Sequence, residues 1–329
     1  MNRFELIAPS DPVAAARLTA HPDTVALAGG VDLLDQMKQK IAAPATLVNL
    51  KALKGLDTIE SNSSGGVRIG TLVKLSQISA NEDLRRRYPA VVEAAGEAAT
   101  PQIRNIATAG GNLLQRPRCW YFRNPDVQCL KKGGMQCYAI GGLNRYHAIL
   151  GGGPSFIVHP SNLAPALIAY GATVRLRSSS GERIVELEQF FILPKTDVTH
   201  ENIMRAGEIL TSIELPAPPA GAHGAYLEAR EKQSFDWPLA SATAVLAVSS
   251  GVVREARIVM GAVAPIPWRA PEAEKILTGA RLTPEVATRA GDAALAGAAP
   301  LPQNGYKVPV AKAMVRRSIL RAAGIAESV

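Results

Sequence analysis

Two pairs of adjacent glycines are the residues of this chain best suited to holding a phosphate group. The first pair lies in Ala28-Gly29-Gly30-Val31-Asp32-Leu33-Leu34, and the second in Thr108-Ala109-Gly110-Gly111-Asn112-Leu113. Adjacent glycines let the backbone approach a ligand closely and point several N–H groups outward, and a helix starting there adds a positive dipole end. We call residues 28–34 the first glycine turn and residues 108–113 the second. Together they predict a site that holds one diphosphate between them.

The neighbouring residues place the first glycine turn between a strand and a helix. The short apolar stretch 25–27 precedes it, and Leu33, Leu34, Met37 and Ile41 follow at helical spacing. Neither turn matches the G-x-G-x-x-G fingerprint or a Walker loop, which argues against an ordinary Rossmann or P-loop site. For either turn alone, a plain strand–helix turn without a ligand is the alternative.

A second group of residues could hold a metal. All three cysteines, Cys119, Cys129 and Cys137, lie in one short stretch with nine and then seven residues between them. These spacings are too wide for a zinc knuckle or a C-x-x-C redox pair. In a reducing compartment, clustered cysteines indicate a metal more than a disulfide, and thiolates on a long loop suit an iron–sulfur cluster. The alternative is a set of buried or vestigial thiols.

The collinear order of the motifs resembles the FAD-binding (medium) subunit of the molybdenum hydroxylases, the xanthine dehydrogenase and carbon monoxide dehydrogenase family. Besides the two turns, the resemblance rests on Ile69-Gly70-Thr71-Leu72-Val73, the Pro101-Gln102-Ile103-Arg104-Asn105 lead-in, His159-Pro160-Ser161-Asn162, Gly207-Glu208-Ile209-Leu210 and Gly261-Ala262-Val263-Ala264-Pro265. It therefore covers nearly the whole chain.

The resemblance implies FAD as the cofactor. Asn162 stands where the family usually has an aspartate facing the ribityl hydroxyls, and Leu210 matches a position near the flavin. Neither turn contains a cysteine or histidine that could form a covalent bond, so we expect non-covalent FAD. The expected cofactor-binding residues are Leu27, Ala28, Gly29, Gly30, Val31, Asp32, Leu33, Leu34, Thr108, Ala109, Gly110, Gly111, Asn112, Asn162 and Leu210.

The cysteine segment, about residues 115–158, resembles an insertion found in a subset of the family, the aldehyde oxidoreductase and 4-hydroxybenzoyl-CoA reductase type. That subset carries a 4Fe–4S cluster there, and its fourth cysteine corresponds to Ser155 in this chain. The fourth ligand could be Ser155 as an alkoxide, His147 or a water; otherwise a 3Fe–4S cluster or no cluster forms. Because thiolate is the better ligand for iron–sulfur chemistry, a cluster without the fourth cysteine is expected to be labile.

The resemblance also implies a function and partners. The chain would pass electrons from iron–sulfur centres through FAD to an external acceptor, beside a 2Fe–2S small subunit and a molybdopterin-binding large subunit. The sequence shows no constellation of nucleophile and base, so no catalytic residue is assigned. The alternatives are a self-contained flavin oxidoreductase and an assembly subunit that has lost its cofactor.

The expected fold is α+β. The resemblance implies an FAD-binding domain of the vanillyl-alcohol-oxidase/PCMH type over residues 1–216, with two α/β subdomains at about 1–55 and 56–216. The proline-rich stretch 216–221 marks the boundary. Beyond it, residues 217–329 predict a C-terminal α+β domain, with antiparallel strands at 242–249 and 252–260 and helices at about 270–297 and 308–323.

Charge and composition indicate which partners and which compartment are expected. The net charge of +8 is dispersed along the chain without a nucleic-acid motif, so no nucleic-acid partner is expected. No apolar run is long enough to span a membrane. Residues 1–6 lack the basic and apolar parts of a signal peptide, which favours the cytoplasm. The alternative is the periplasm, reached by export with a signal-bearing partner.

Overall fold

The computed structural model describes residues 1–231 and 236–326. The chain begins with a small parallel sheet in the order β1-β3-β2. Asp11 caps the first helix by accepting a hydrogen bond from the amide of Ala14 at 2.8 Å. The elements of this unit are β1 (Glu5–Ile7), α1 (Pro12–Thr19), β2 (Thr24–Leu27), α2 (Leu33–Lys38) and β3 (Thr46–Asn49).

A five-stranded antiparallel sheet follows, in the order β4-β5-β8-β6-β7. Strands β6 and β7 form an antiparallel hairpin across residues 178–181. The elements are β4 (Ile59–Ser61), β5 (Val67–Gly70), α3 (Leu75–Ala80), α4 (Glu82–Arg87), α5 (Pro89–Glu97), α6 (Pro101–Arg104), α7 (Ala109–Leu113), α8 (Trp120–Arg123), α9 (Leu163–Ala169), β6 (Thr173–Arg177), β7 (Glu182–Glu186), α10 (Leu187–Phe190) and β8 (Ile209–Leu215).

The last third forms a four-stranded antiparallel sheet in the order β12-β11-β10-β9, covered by helices. The helix predicted over 270–297 is instead two helices, because the chain turns at Gly279 with a positive φ of 81°. The elements are β9 (Ala222–Ala229), β10 (Ala240–Ser249), β11 (Val252–Gly261), β12 (Trp268–Arg269), α11 (Pro271–Leu277), α12 (Pro284–Ala294) and α13 (Lys307–Ala322).

Helix α9 joins the second and third sheets. All seven of its residues are buried, and they share one hydrophobic core with Tyr226, Val245 and Val259 of the third sheet. Ser161 caps this helix by accepting a hydrogen bond from the amide of Ala164 at 3.0 Å. The α+β class is confirmed. No helix of the described residues is long and apolar enough to cross a membrane.

Candidate cofactor and cluster sites

The first glycine turn presents backbone donors without partners. It follows β2 and leads into α2, and Gly30 adopts a positive φ of 78°. Among the described residues, no protein atom accepts a hydrogen bond from the amides of Gly29, Gly30, Val31 or Asp32. Consecutive free amides at the start of a helix form an anion-binding concavity. The donor set of this turn therefore fits a diphosphate.

The second glycine turn is built differently, since its amides already donate hydrogen bonds to protein atoms. Ala109 donates to the carbonyl of Val73 at 2.8 Å, and Gly110 donates to the carbonyl of Thr71 at 2.9 Å. The amides of Gly111 and Asn112 donate to the side chain and carbonyl of Thr108, at 3.2 and 2.8 Å. The turn is the first part of α7, capped by Thr108. Its glycines do not supply the outward-pointing amides that the sequence suggested.

The glycines of the two turns are required for close approach. A Cβ atom on Gly29 would lie 2.3 Å from the carbonyl oxygen of Ile106, just before the second turn. A Cβ atom on Gly110 would lie 1.8 Å from the Oγ1 atom of Thr71. Neither distance is compatible with a side chain. Glycine at position 29 therefore lets the first turn lie against the residues before the second, and glycine at position 110 lets the second turn pack against Thr71.

Asp32 ties the first glycine turn to the cysteine segment. Its Oδ1 atom accepts hydrogen bonds from the guanidinium groups of Arg123 at 2.6 Å and Arg118 at 2.9 Å. Its Oδ2 atom accepts hydrogen bonds from the amide of Arg116 and the side-chain amide of Gln36. The Asp32 carboxylate is mostly buried, and both of its oxygen atoms already have these partners. Any part that Asp32 takes in binding a cofactor must come from its backbone.

The remaining predicted cofactor residues connect to the second turn. The Oδ1 atom of buried Asn112 accepts a hydrogen bond from the Ser161 hydroxyl at 2.6 Å, beside Asn162. The Asn162 amide donates to Glu228 at 2.7 Å and to the Tyr226 hydroxyl at 3.1 Å. Leu210 is buried in β8. The structure thus links these residues to the turn, while the predicted contact of Asn162 with ribityl hydroxyls stays a prediction.

The three cysteines and Ser155 line one small cavity. All three thiols are free, and Cys129 is buried with Ser155. Among the described residues, no three candidate side chains are close enough together to hold a single metal ion. A multi-iron cluster separates its ligands further than one ion does. Three thiols and a hydroxyl around one cavity are a donor set that fits such a cluster, although the four residues remain predicted ligands.

His147 lies against this cavity. Its Nε2 atom is 3.2 Å from the Cys119 sulfur. Burial raises the pKa of the Cys119 thiol to about 11 and lowers the pKa of His147 to about 4. Both side chains are therefore neutral at pH 7, and a metal must displace the thiol proton in order to bind. Buried Lys307 donates to the His147 carbonyl at 3.1 Å and to the Ala262 carbonyl at 2.6 Å, which holds this segment to α13.

A larger cleft beside the cysteine cavity was not anticipated from the sequence. It has a volume of about 260 Å³ and is open to solvent. Its lining includes three aromatic side chains, which is why we call it the aromatic cleft. Their positions are far apart in the chain, and no periodic pattern joins them. The lining of the cleft includes Arg118, Trp120, Tyr146, His147, His159 and Trp237.

Comparison with known families matches most of the chain to two family models. Residues 2–218 match the FAD binding domain in molybdopterin dehydrogenase, and residues 224–322 match the CO dehydrogenase flavoprotein C-terminal domain. Both matches are in the order that the sequence motifs predicted. The matched residues 2–218 span both glycine turns, the cysteine segment, Asn162 and Leu210.

Individual relatives agree with these matches. The chain is 35% identical to the aldehyde oxidoreductase FAD-binding subunit PaoB of Escherichia coli K12, over 91% of this chain and 92% of that protein. It is 28% identical to the carbon monoxide dehydrogenase medium chain of Hydrogenophaga pseudoflava, over 96% of each. A solved carbon monoxide dehydrogenase from that organism superposes with a TM-score of 0.78, at 28% identity and 98% coverage of both chains. This chain belongs to the family of FAD-binding flavoprotein subunits of the molybdenum-containing oxidoreductases.

Proposed function

We propose that this chain is the FAD-carrying electron-transfer subunit of a molybdenum-containing hydroxylase or dehydrogenase complex. The observation that carries the proposal is the row of unpartnered amides from Gly29 to Asp32 at the start of α2. Bound FAD exchanges electrons singly with iron–sulfur centres and in pairs with an external acceptor. The protein supplies the binding site and the positions of the neighbouring groups.

We assign the diphosphate to the first glycine turn, residues 28–34. The second turn, residues 108–112, lies beside it and supplies packing, because its amides are engaged within the protein. Asn162 and Leu210 complete the predicted set at the other end of the site. No cysteine or histidine lies in either turn, so the binding is non-covalent.

The expected partners are a 2Fe–2S small subunit and a molybdopterin-binding large subunit. The support is the family and the similarity to the medium chains of two carbon monoxide dehydrogenases. Substrate oxidation then belongs to the large subunit. Free thiols favour a reducing compartment such as the cytoplasm, with export beside a signal-bearing partner as the alternative.

We further propose that Cys119, Cys129, Cys137 and Ser155 hold a 4Fe–4S cluster, or that the three cysteines hold a 3Fe–4S cluster. The support is their common cavity. His147, 3.2 Å from the Cys119 sulfur, is the other candidate for the fourth position. With only three thiolates, the cluster should be lost more readily in oxygen than a four-cysteine cluster.

The FAD assignment is tested on the purified full chain by its absorbance spectrum and by releasing the flavin with acid. We expect FAD near one per chain, released intact because it is not covalently linked. The Gly30→Val variant should be empty, because the left-handed backbone and the nearby Leu34 side chain leave no room for a branched residue. A wild-type chain that neither contains nor rebinds FAD would contradict the proposal, as would rapid oxidation of an organic substrate by the isolated chain.

The cluster assignment is tested by iron and sulfide analysis after anaerobic purification, with electron paramagnetic resonance spectra. The Ser155→Cys variant should contain more iron and lose it more slowly in air. The matched control is Ser180→Cys, which adds a thiol at the exposed turn between β6 and β7. If the wild type and Ser155→Cys both lack iron, the cysteine segment holds no cluster.

A further inference from the structure

We propose that Arg123 couples the first glycine turn to the cysteine segment, so that bound FAD fixes the loop that carries Cys119. The proposal rests on the proposed function and adds a positioning residue to it. In this role Arg123 touches neither cofactor: it acts through Asp32 on one side and through the backbone around Cys119 on the other. A cluster held by Cys119 would then be retained better when FAD is bound, and coupling of this kind is reciprocal.

Arg123 closes residues 116–123 into a loop that contains Cys119. Its guanidinium donates hydrogen bonds to the carbonyls of Pro117 at 2.8 Å and of Arg116 at 3.0 Å. Its backbone amide donates to the carbonyl of Cys119 at 2.9 Å. The Arg123 side chain is only 9% exposed. The position of the Cys119 backbone is therefore tied to a side chain that is itself held in place.

The same guanidinium reaches the first glycine turn. It donates to the Oδ1 atom of Asp32 at 2.6 Å and lies 3.3 Å from the Oδ2 atom of Asp35, in the first turn of α2. Asp32 also accepts a hydrogen bond from the amide of Arg116 at 2.9 Å, at the other end of the loop. One carboxylate thus holds both ends of the loop. A diphosphate bound by the free amides of residues 29–32 would fix the backbone that carries this carboxylate.

A second set of ion pairs continues the connection toward Cys129. The Glu201 carboxylate lies 2.9 Å from the Arg116 guanidinium and 2.7 Å from the Lys131 ammonium group. Glu201 and Lys131 are buried, and Lys131 is two residues from Cys129. Breaking a buried pair leaves an uncompensated charge, so such pairs hold their geometry. Two of the three cysteines therefore lie on segments that hydrogen bonds and ion pairs join to Asp32.

The charges of this network suit a bound diphosphate. Asp32 and Asp35 place two carboxylates at the start of α2, where they would repel an anion. Arg118 and Arg123 neutralise them, since their guanidinium groups lie 2.6–3.7 Å from these carboxylates. Binding that orders a segment lowers the cost of a second binding event that needs the same order. FAD and a cluster would share the cost of ordering this network.

The test is hydrogen exchange of the purified full chain, read by mass spectrometry on peptides that cover residues 116–123, with and without saturating FAD. We expect exchange there to slow about tenfold or more when FAD binds. In Arg123→Met this difference should fall below about threefold, and Arg123→Lys, which keeps the charge, should restore part of it. A purely structural role would instead speed exchange equally with and without FAD. The matched control is Arg145→Met, which removes an exposed arginine of the same segment that pairs with Glu231.

A second measurement follows anaerobic transfer of iron to a chelator from the chain reconstituted with iron and sulfide. We expect iron loss to be about fivefold slower with FAD than without it, and to be independent of FAD in Arg123→Met. Equal iron loss from the wild type with and without FAD would overturn the coupling.

The exchange data separate the coupling from the proposed function. Equal exchange of residues 116–123 in the FAD-free and FAD-loaded wild type would overturn the coupling and leave the proposed function intact. An FAD-dependent difference that persists in Arg123→Met would also overturn it. A chain that binds no FAD would contradict both the coupling and the proposed function. Protection by FAD in a chain that takes up no iron would support the coupling and contradict the cluster assignment alone.

Discussion

The two glycine turns share a Gly-Gly pair and differ in what the backbone does there. In the first, Gly30 has a positive φ and four successive amides lack protein acceptors among the described residues. In the second, the corresponding amides bond to Val73, Thr71 and Thr108. One pair of glycines therefore faces outward as a donor surface, while the other allows close packing. Adjacent glycines indicate a need for space or conformational freedom, without showing which.

This difference gives the two turns different roles in the proposed FAD site. In our proposal the first turn binds the diphosphate, and the second turn packs against it. Gly29 lies at the contact, since its missing Cβ leaves room for the carbonyl of Ile106. The first turn is also fixed to the cysteine segment through Asp32. Substitutions at the two turns should consequently have different readouts.

The largest effect is expected from Gly29→Ala. Its Cβ would lie 2.3 Å from a backbone oxygen, so the two turns must separate. We expect FAD affinity to fall by about a hundredfold, the equivalent of roughly 3 kcal/mol, measured by titrating the FAD-free chain with FAD. Gly297→Ala is the control, because nothing lies within 4 Å of the added atom. An affinity equal to that of the wild type would show that the contact between the turns is irrelevant to the site.

Gly111→Ala in the second turn should have a much smaller effect than Gly29→Ala, and this tests the comparison itself. The added Cβ would meet only the Thr108 hydroxyl, at 2.9 Å, and a side-chain oxygen can move. Gly111 also has no positive φ. Equal losses of FAD in the two variants would indicate that both turns bind the diphosphate.

Asp32→Asn is expected to have the next effect, a loss in the free energy of unfolding. The change removes the closer and more buried of the two carboxylates that Arg118 and Arg123, both mostly buried, share. Breaking a buried ion pair by removing one partner is costly, and here we expect about 2–4 kcal/mol in the free energy of unfolding, measured by chemical denaturation. Asp35→Asn, at a more exposed carboxylate, should cost much less. Similar losses at both positions would show that Asp32 has no special role in joining the first turn to the cysteine segment.

His159 gives a pH test near the second turn. Burial lowers the pKa of His159 to about 4. Between about pH 6.5 and pH 4 the unfolded chain takes up a proton that the folded chain does not, so stability falls as the pH falls through this range. We expect this group to account for about 3 kcal/mol by pH 4. His159→Gln should flatten the dependence of unfolding free energy on pH, whereas exposed His21→Gln should not; an unchanged slope would mean that His159 titrates normally.

The smallest effect is expected from Thr108→Ala. The Thr108 hydroxyl caps α7 by accepting a hydrogen bond from the amide of Gly111. Loss of a cap costs about 1 kcal/mol, measured as unfolding free energy. Thr283→Ala, which removes the cap of α12, is the matched control and should cost a similar amount. If only Thr108→Ala also alters FAD affinity, the second turn contributes to the site beyond packing.

Much of the fold could be predicted from local patterns. The Asp-Pro start of α1, the β6–β7 hairpin and the β10–β11 pair all follow from turn residues and apolar periodicity that neighbouring residues supply. The single helix over 270–297 was wrong, because alanine-rich sequence on both sides of Gly279 hides the turn between α11 and α12. The joint core of α9 with the third sheet could not be predicted, since it depends on packing between distant segments.

The sequence by itself determined the family, the order of the motifs and the kinds of donor available: paired glycines, three cysteines and a serine in place of a fourth. Only the tertiary structure decided which amides remain free, because the amides of residues 109–112 in the second turn find their acceptors in Thr108 or in the chain around Thr71. It also decided that Asp32 bonds to arginines more than eighty residues away. The aromatic cleft has the same origin, since it joins side chains whose separation in sequence carries no signal. The order of residues determines which chemical groups are available, while the hydrogen-bond partner of each group depends on how the chain folds.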